Sequence, residues 1–241
     1  MTPPGPNGRL VQLKRAAYRG DFPWYRRGWF ETFGSDRYSR PALHQMDVLL
    51  EKILPAGPGV FVEAGAHDGF TQSNTYYLER YRGWTGVLVE AIPELYEKAK
   101  SRRLRSQVVN CALVGPEEDG QDVEMRFGDL MSKVGDDFGH VQSGLENAGR
   151  AGYTIAVPGR TISSVLDEAG VSHVDLLSLD VEGNEVAALE GLDTKRHTVS
   201  YILVEMLDMR SQRGEFDRLL TGRYKFFEAL SPWDALYRSV S

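Results

Sequence analysis

Gly59-Val60-Phe61-Val62-Glu63-Ala64-Gly65-Ala66-His67-Asp68-Gly69-Phe70-Thr71-Gln72-Ser73-Asn74 is the stretch on which the fold turns. Val60 to Val62 is a short run of β-branched and aromatic residues between Pro58-Gly59 and Gly65, a composition that predicts a buried strand rather than a helix. The strand ends in a glycine loop. Gly65 and Gly69 allow a sharp turn and a close approach to a ligand, and Ser73-Asn74-Thr75 can cap a helix through Tyr76-Tyr77-Leu78-Glu79. Strand, glycine loop and helix in that order make the nucleotide-binding corner of an open α/β sheet.

The spacing narrows the ligand. A dinucleotide site of the dehydrogenase kind needs Gly-x-Gly-x-x-Gly, whereas Glu63 to Gly69 holds two glycines and no pyrophosphate cradle. An acid as the strand ends, followed by Gly65-Ala66 and Gly69, suits a ligand with an ammonium group and a ribose. S-adenosylmethionine is such a ligand. The expected contacts from this stretch are Glu63, Ala64, Gly65, Ala66, His67, Gly69, Ser73 and Asn74.

The whole chain sets the class. Its 241 residues suffice for one large α/β domain, and its net charge of −6, without a basic block, argues against an electrostatically driven nucleic-acid binder. Cys111 is the single cysteine, so there is no disulfide framework or cysteine-rich metal site, as expected of a reducing compartment. No apolar run reaches the ~20 residues of a bilayer span, and the amino terminus lacks an apolar signal core. The expectation is a soluble cytoplasmic protein with no nucleic-acid or membrane partner.

In chain order, residues 1–8 are rich in proline and glycine, and Leu10 to Arg19 suggests a short basic helix. Phe22 to Tyr38 carries seven aromatics. This N-terminal arm, residues 1–40, is expected to pack over the domain or against a second copy in a homodimer, or else to form a lid over a sugar or polyketide. Pro41 to Leu54 reads as a helix with proline in its first turn. Trp84 to Glu90 is the second strand, and Glu90, with Ala91 beside it, sits where a carboxylate accepts hydrogen bonds from ribose hydroxyls. Gln107 to Leu113 reads as the third strand, placing Cys111 and Ala112 against an adenine edge. Cys111 is assigned packing there rather than chemistry.

Regular alternation breaks down over residues 115–153. Val123 to Phe127 suggests an edge strand, and the glycine-rich stretch 128–153 a substrate-facing loop carrying Asp129, Ser132 and His140. Thr154 to Val157 reads as a strand and Thr161 to Ala169 as a helix stopped by Gly170. Val174-Asp175-Leu176-Leu177-Ser178-Leu179-Asp180-Val181-Glu182-Gly183-Asn184-Glu185 then brings Asp180 and Glu182 to the carboxyl end of another buried strand, where open α/β sheets bind ligands. Val199 to Glu205 ends the same way. Glu215 to Leu220 is expected to be helical, and Tyr224 to Leu230 with Ala235 to Val240 to form a terminal hairpin.

Phe61 to Gly69, Ser73 to Thr75, Gly86 to Glu90, and above all Asp175 to Glu185 with Leu189-Glu190-Gly191 resemble the FkbM family of S-adenosylmethionine-dependent methyltransferases over roughly residues 41–205. The resemblance implies a Rossmann-like seven-stranded methyltransferase sheet over residues 41–241, mostly parallel with one antiparallel strand and helices on both faces. It also implies, commonly, O-methylation of a hydroxyl on a sugar or natural product.

Transfer of a methyl from a sulfonium to an alcohol needs alignment and a group to receive the alcohol's proton. The candidates are Asp180, Glu182, Glu205 and His67, with Asp180 or Glu182 favoured. Asp180 is equally placed to meet the cofactor's ammonium, and His67 to line the cofactor. The three acids would also offer hard oxygen ligands to a divalent metal if they converged, although no metal is assigned. Two other classes share the pattern: a nicotinamide oxidoreductase, which the missing third glycine disfavours, and a non-catalytic S-adenosylmethionine-binding protein.

Overall fold

A computed structural model describes residues 21–127, 133–134 and 153–240. Asp129, Ser132 and His140, most of the 128–153 loop and the Leu10 to Arg19 segment lie outside them. The opening strand is β1 (Val60–Ala64), flanked in the main sheet by β2 (Thr85–Val89) and β8 (His173–Leu179). β2 continues to β3 (Gln107–Val109), and β8 to β9 (Thr198–Glu205), β11 (Asp234–Ser239) and β10 (Tyr224–Ala229). The resulting seven-stranded order is β10-β11-β9-β8-β1-β2-β3, in which β11 alone runs antiparallel to its neighbours. This is the sheet expected from the sequence. Its order reverses between β1 and β8, the switch point where ligands bind in open sheets.

Alternation along the central strands assigns the layers. Val62 and Ala64 of β1 and Leu177 and Leu179 of β8 pack with α5 (Ile162–Ala169), α6 (Glu185–Glu190) and α7 (Met209–Leu220). Phe61 and Leu176 face the other way, onto α2 (Met46–Ile53) and α3 (Tyr76–Arg82). Glu63 and Ser178, in step with Phe61 and Leu176, therefore point to that second side. α4 (Pro93–Arg102) joins β2 to β3, and α1 (Phe22–Thr32) lies against α3 and α4 through Trp24, Arg27 and Asp21. Among the described residues no helix is long and apolar enough to cross a membrane.

Four expectations are corrected. The third strand ends at Val109, because the Asn110 side chain donates to the carbonyls of Glu90 (2.8 Å) and Ala91 (2.9 Å) and the chain leaves the sheet. Ala112–Leu113 is instead β4 of a second sheet, ordered β4-β7-β5-β6, with β5 at Asp122–Phe127, β6 at Lys133–Val134 and β7 at Tyr153–Arg160. The helix expected from Pro41 starts only at Met46, since Ala42 bridges to Gln72 and His44 and Gln45 adopt left-handed backbone, at φ 52° and 57°. α7 starts at Met209 rather than Glu215, where the Asp208 side chain accepts from the Arg210 amide.

Candidate active site

A cleft opens at the carboxyl ends of β1, β2, β8 and β9. Its walls include Glu63, Ala64, Gly65, His67, Ser73, Asn74, Glu90, Ala91, Cys111, Ala112, Asp180, Glu182 and Glu205, so most of the residues singled out in the sequence converge. Ala66 and Gly69 do not line it. Ala66 is buried among the residues packed with α2, and a Cβ on Gly69 would stand 2.9 Å from the Ala99 backbone and the Arg103 side chain. Gly69 therefore serves the packing of the loop on α4.

Gly65 has a related reason. Its φ is +78°, and a Cβ there would lie 1.9 Å from the carbonyl oxygen of Asp180. The position is fixed first by the close approach of the chain at the paired ends of β1 and β8, so a bulky residue there would disturb the sheet itself. A cofactor-only effect of such a substitution does not follow.

Glu63 is buried and saturated. It accepts from Ser73 Oγ (2.9 Å), the Asn74 amide (2.7 Å) and Thr75 Oγ1 (2.7 Å), and pairs with Arg103 Nη1 at 3.2 Å. It organises the loop from beneath. Asn74 in turn donates through Nδ2 to Ser178 Oγ (3.1 Å), linking the loop to β8. Sequence reasoning missed Arg103, whose buried guanidinium also meets Glu79 at 2.9 Å, the Gly69 carbonyl, Ser73 Oγ and Thr75 Oγ1. It missed Ser178 as well, although a hydroxyl between Leu177 and Leu179 at the buried end of the strand was a readable signal. Thr71, Gln72 and Asn184 line the cleft too, and all three lie inside the two stretches that pointed to the site.

Glu90 is buried, with Oε2 accepting from the His67 amide (2.7 Å) and Oε1 from the Ile92 amide (2.8 Å). Burial outweighs these bonds and pushes its pKa up to about 7. Each oxygen keeps a lone pair for another donor. Burial likewise raises the Cys111 thiol to about 12, which leaves it a packing residue.

The acids after β8 and β9 form the other wall. Burial and the nearby Glu205 raise Asp180 well above the usual carboxylate range, and its Oδ1 is buried without a partner. Glu182 is raised to about 8 by burial and by Glu205 and Glu185. Burial also raises Glu185, partly offset by the Val181 and Gly183 amides it accepts, each at 3.0 Å. Among the described residues, however, no group of three or more His, Cys, Asp or Glu side chains is arranged to hold a metal ion. His67 Nδ1 stands 3.6 Å from Asp68 Oδ1, within ion-pair but beyond hydrogen-bond range, and neither ring nitrogen makes a hydrogen bond. Asp68 is held below the usual range despite its burial by His67, the Thr71 amide and Arg102, whose Nη1 lies 2.6 Å away.

Backbone strain collects here. Five non-glycine described residues have positive φ: His67, Gln72 and Glu182 line the cleft, and His44 and Gln45 follow Leu43, which also lines it. Such conformations cost about 1–3 kcal/mol each and tend to mark functional sites.

A family model described as the methyltransferase FkbM domain matches residues 63–229, from the buried acid of β1 to the end of β10. The chain belongs to the FkbM methyltransferase family. As an FkbM protein it is an S-adenosylmethionine-dependent methyltransferase, the cofactor inferred from the first glycine loop. Similar solved structures include a TehB-like SAM-dependent methyltransferase from Corynebacterium glutamicum, at 13% identity and TM-score 0.45, covering 90% of this chain and 99% of that one. Aeropyrum pernix fibrillarin with bound S-adenosyl-L-methionine is similar at 14% identity and TM-score 0.44, with 84% of this chain and 76% of that one covered. An RNA methyltransferase from Salinibacter ruber in complex with S-adenosyl-L-homocysteine is similar at 13% identity and TM-score 0.40, with 83% and 92% covered. No curated protein matched the sequence.

Proposed function

We propose that this FkbM methyltransferase transfers the methyl to a hydroxyl of a small molecule, a sugar or natural-product intermediate, with Glu182 receiving the proton. The observation that carries this reading is Glu182 itself, on the cleft wall with left-handed backbone and a pKa near 8. A base is most effective when its pKa lies near the working pH, where it is available yet strong enough to accept the proton.

The cleft suits S-adenosylmethionine by the chemistry of its donors and acceptors. The orphaned Asp180 Oδ1 fits the ammonium, and the unused lone pairs of Glu90 fit the ribose hydroxyls. Cys111, Ala112 and Leu113 form an apolar wall for the adenine, and Ala64, Gly65 and Ala91 border it. Bound there, S-adenosylmethionine supplies an electrophilic methyl group. Burial, Glu205 and Glu185 raise the pKa of Glu182 and keep it basic. His67, whose ring nitrogens make no hydrogen bond within the protein, lines the same cleft and orients the acceptor or the cofactor.

The test is incubation with labelled S-adenosylmethionine and a panel of hydroxylated sugars and polyketides, with products read by mass spectrometry. Glu182→Gln should lower kcat by about 10²–10⁴-fold, the usual contribution of a positioned base, while cofactor affinity stays within a small factor. Full activity in Glu182→Gln would remove the assignment. Methylation confined to amines would remove the hydroxyl.

A further inference from the structure

We infer that α1 is a membrane-interface helix that docks this protein onto an anionic phospholipid surface. The helix has two opposed faces. Trp24, Arg27 and Glu31 pin one to the domain: Trp24 meets Phe70 edge-on at 5.6 Å, Arg27 lies 3.6 Å over the Trp24 ring and contacts the Tyr76 hydroxyl, and Glu31 pairs with Arg80 at 2.9 Å. Ser39 Oγ and the Tyr76 hydroxyl add bonds to Glu31 at 2.7 and 3.0 Å. The helix is therefore held in a fixed orientation.

Its other face carries Phe22, Tyr25 and Trp29, with Phe33 just past its end, spaced by three or four residues on one stripe. They are 61, 70, 68 and 71% exposed. None of the four lines the cleft. Four large aromatics aligned in water form an interaction surface rather than scattered exposure.

Charge selects the occupant. Residues 1–40 contain eight Lys or Arg and three Asp or Glu, a net +5 of which +4 comes from residues 1–20, outside the described residues, whereas the chain as a whole carries −6. The remainder is thus at −11, and the sign of the protein reverses at this arm. Arg26 and Arg37 stand exposed at the rim of the stripe, their guanidinium groups 4.0 and 5.4 Å over the Tyr38 ring. A second copy meeting the stripe about a two-fold axis would bring positive charge against positive charge. An anionic bilayer attracts the arm and repels the acidic body, orienting the molecule, and Trp and Tyr rings sit favourably at headgroup level. The expectation of no membrane contact rested on the lack of a spanning run, which an interfacial helix does not need.

The full chain should co-sediment with vesicles of phosphatidylcholine mixed with phosphatidylglycerol, and much less with phosphatidylcholine alone, and should be released by salt. Arg26→Glu with Arg37→Glu should weaken binding at least about 25-fold, since each basic residue near such a surface contributes roughly fivefold. Trp29→Ala with Phe33→Ala should abolish it. In both variants the thermal shift on adding S-adenosylmethionine should equal that of the parent, which separates lost docking from lost folding. No sedimentation, or equal sedimentation with neutral vesicles, overturns the inference. So does a solution dimer that Trp29→Ala with Phe33→Ala dissociates, which would assign the stripe to a second copy.

Discussion

Arg103→Met tests whether the glycine loop is held by the buried charge network beneath it. The Arg103 side chain is fully buried and serves five acceptors: Glu63, Glu79, Ser73 Oγ, Thr75 Oγ1 and the Gly69 carbonyl. Methionine keeps much of the volume but leaves two carboxylates, Glu63 and Glu79, in the interior without a cation. Removing one partner of a buried pair costs about 3–5 kcal/mol, because the remaining charge stays desolvated. In a chain of this size each kcal/mol lowers Tm by about 2–4 °C, so a fall of about 6–20 °C is expected. Thermal and urea unfolding at neutral pH measure it, and a double-mutant cycle with Glu63→Gln should give a coupling of about 1–3 kcal/mol. Ser73 and Asn74 hang from the same network and line the cleft, so affinity for S-adenosylmethionine should fall with stability. A Tm loss under about 3 °C, or strict additivity with Glu63→Gln, would refute the network's role.

Three further outcomes are expected. Gly65→Ala should destabilise the fold and not only the cofactor site, since its Cβ meets the Asp180 carbonyl at 1.9 Å; unfolding by denaturant would show a loss above about 2 kcal/mol, and a parent-like midpoint would contradict it. Glu90 and Glu182 have folded-state pKa values raised to about 7 and about 8 from 4.5, so the folded state holds protons that the unfolded state has lost, and stability should decline as pH rises from about 4.5 to 8. Glu90 alone accounts for about 3 kcal/mol of that decline, and Glu90→Gln should flatten the profile. Because a cation favours the ionised acids, affinity for S-adenosylmethionine should rise with pH through the same range, and isothermal titration should detect proton release; a pH-independent affinity would exclude ionised Asp180 as the ammonium's partner.

The sequence by itself determined the sheet and the place of the site. Val60 to Val62 and Leu176 to Leu179 are apolar runs ending in glycine or acid, and local chemistry of that kind specifies a buried strand, its end and the sheet edge that binds ligands. Only the tertiary structure decided what the polar residues do there. Glu63 reads as a ligand acid in one dimension, but Arg103, forty residues on, meets it from the end of α4 and makes it the anchor of the loop. Gly65 reads as room for a cofactor, yet the nearest obstacle is the Asp180 carbonyl, 115 residues away in the chain. The break in the third strand depends on Asn110 reaching the carbonyls after β2, and the raised pKa values of Asp180 and Glu182 on Glu205 arriving from β9. Strand propensity is carried by neighbours in sequence, whereas desolvation, charge pairing and steric exclusion depend on distance in space, which exists only once the sheet has brought β1, β2, β8 and β9 side by side.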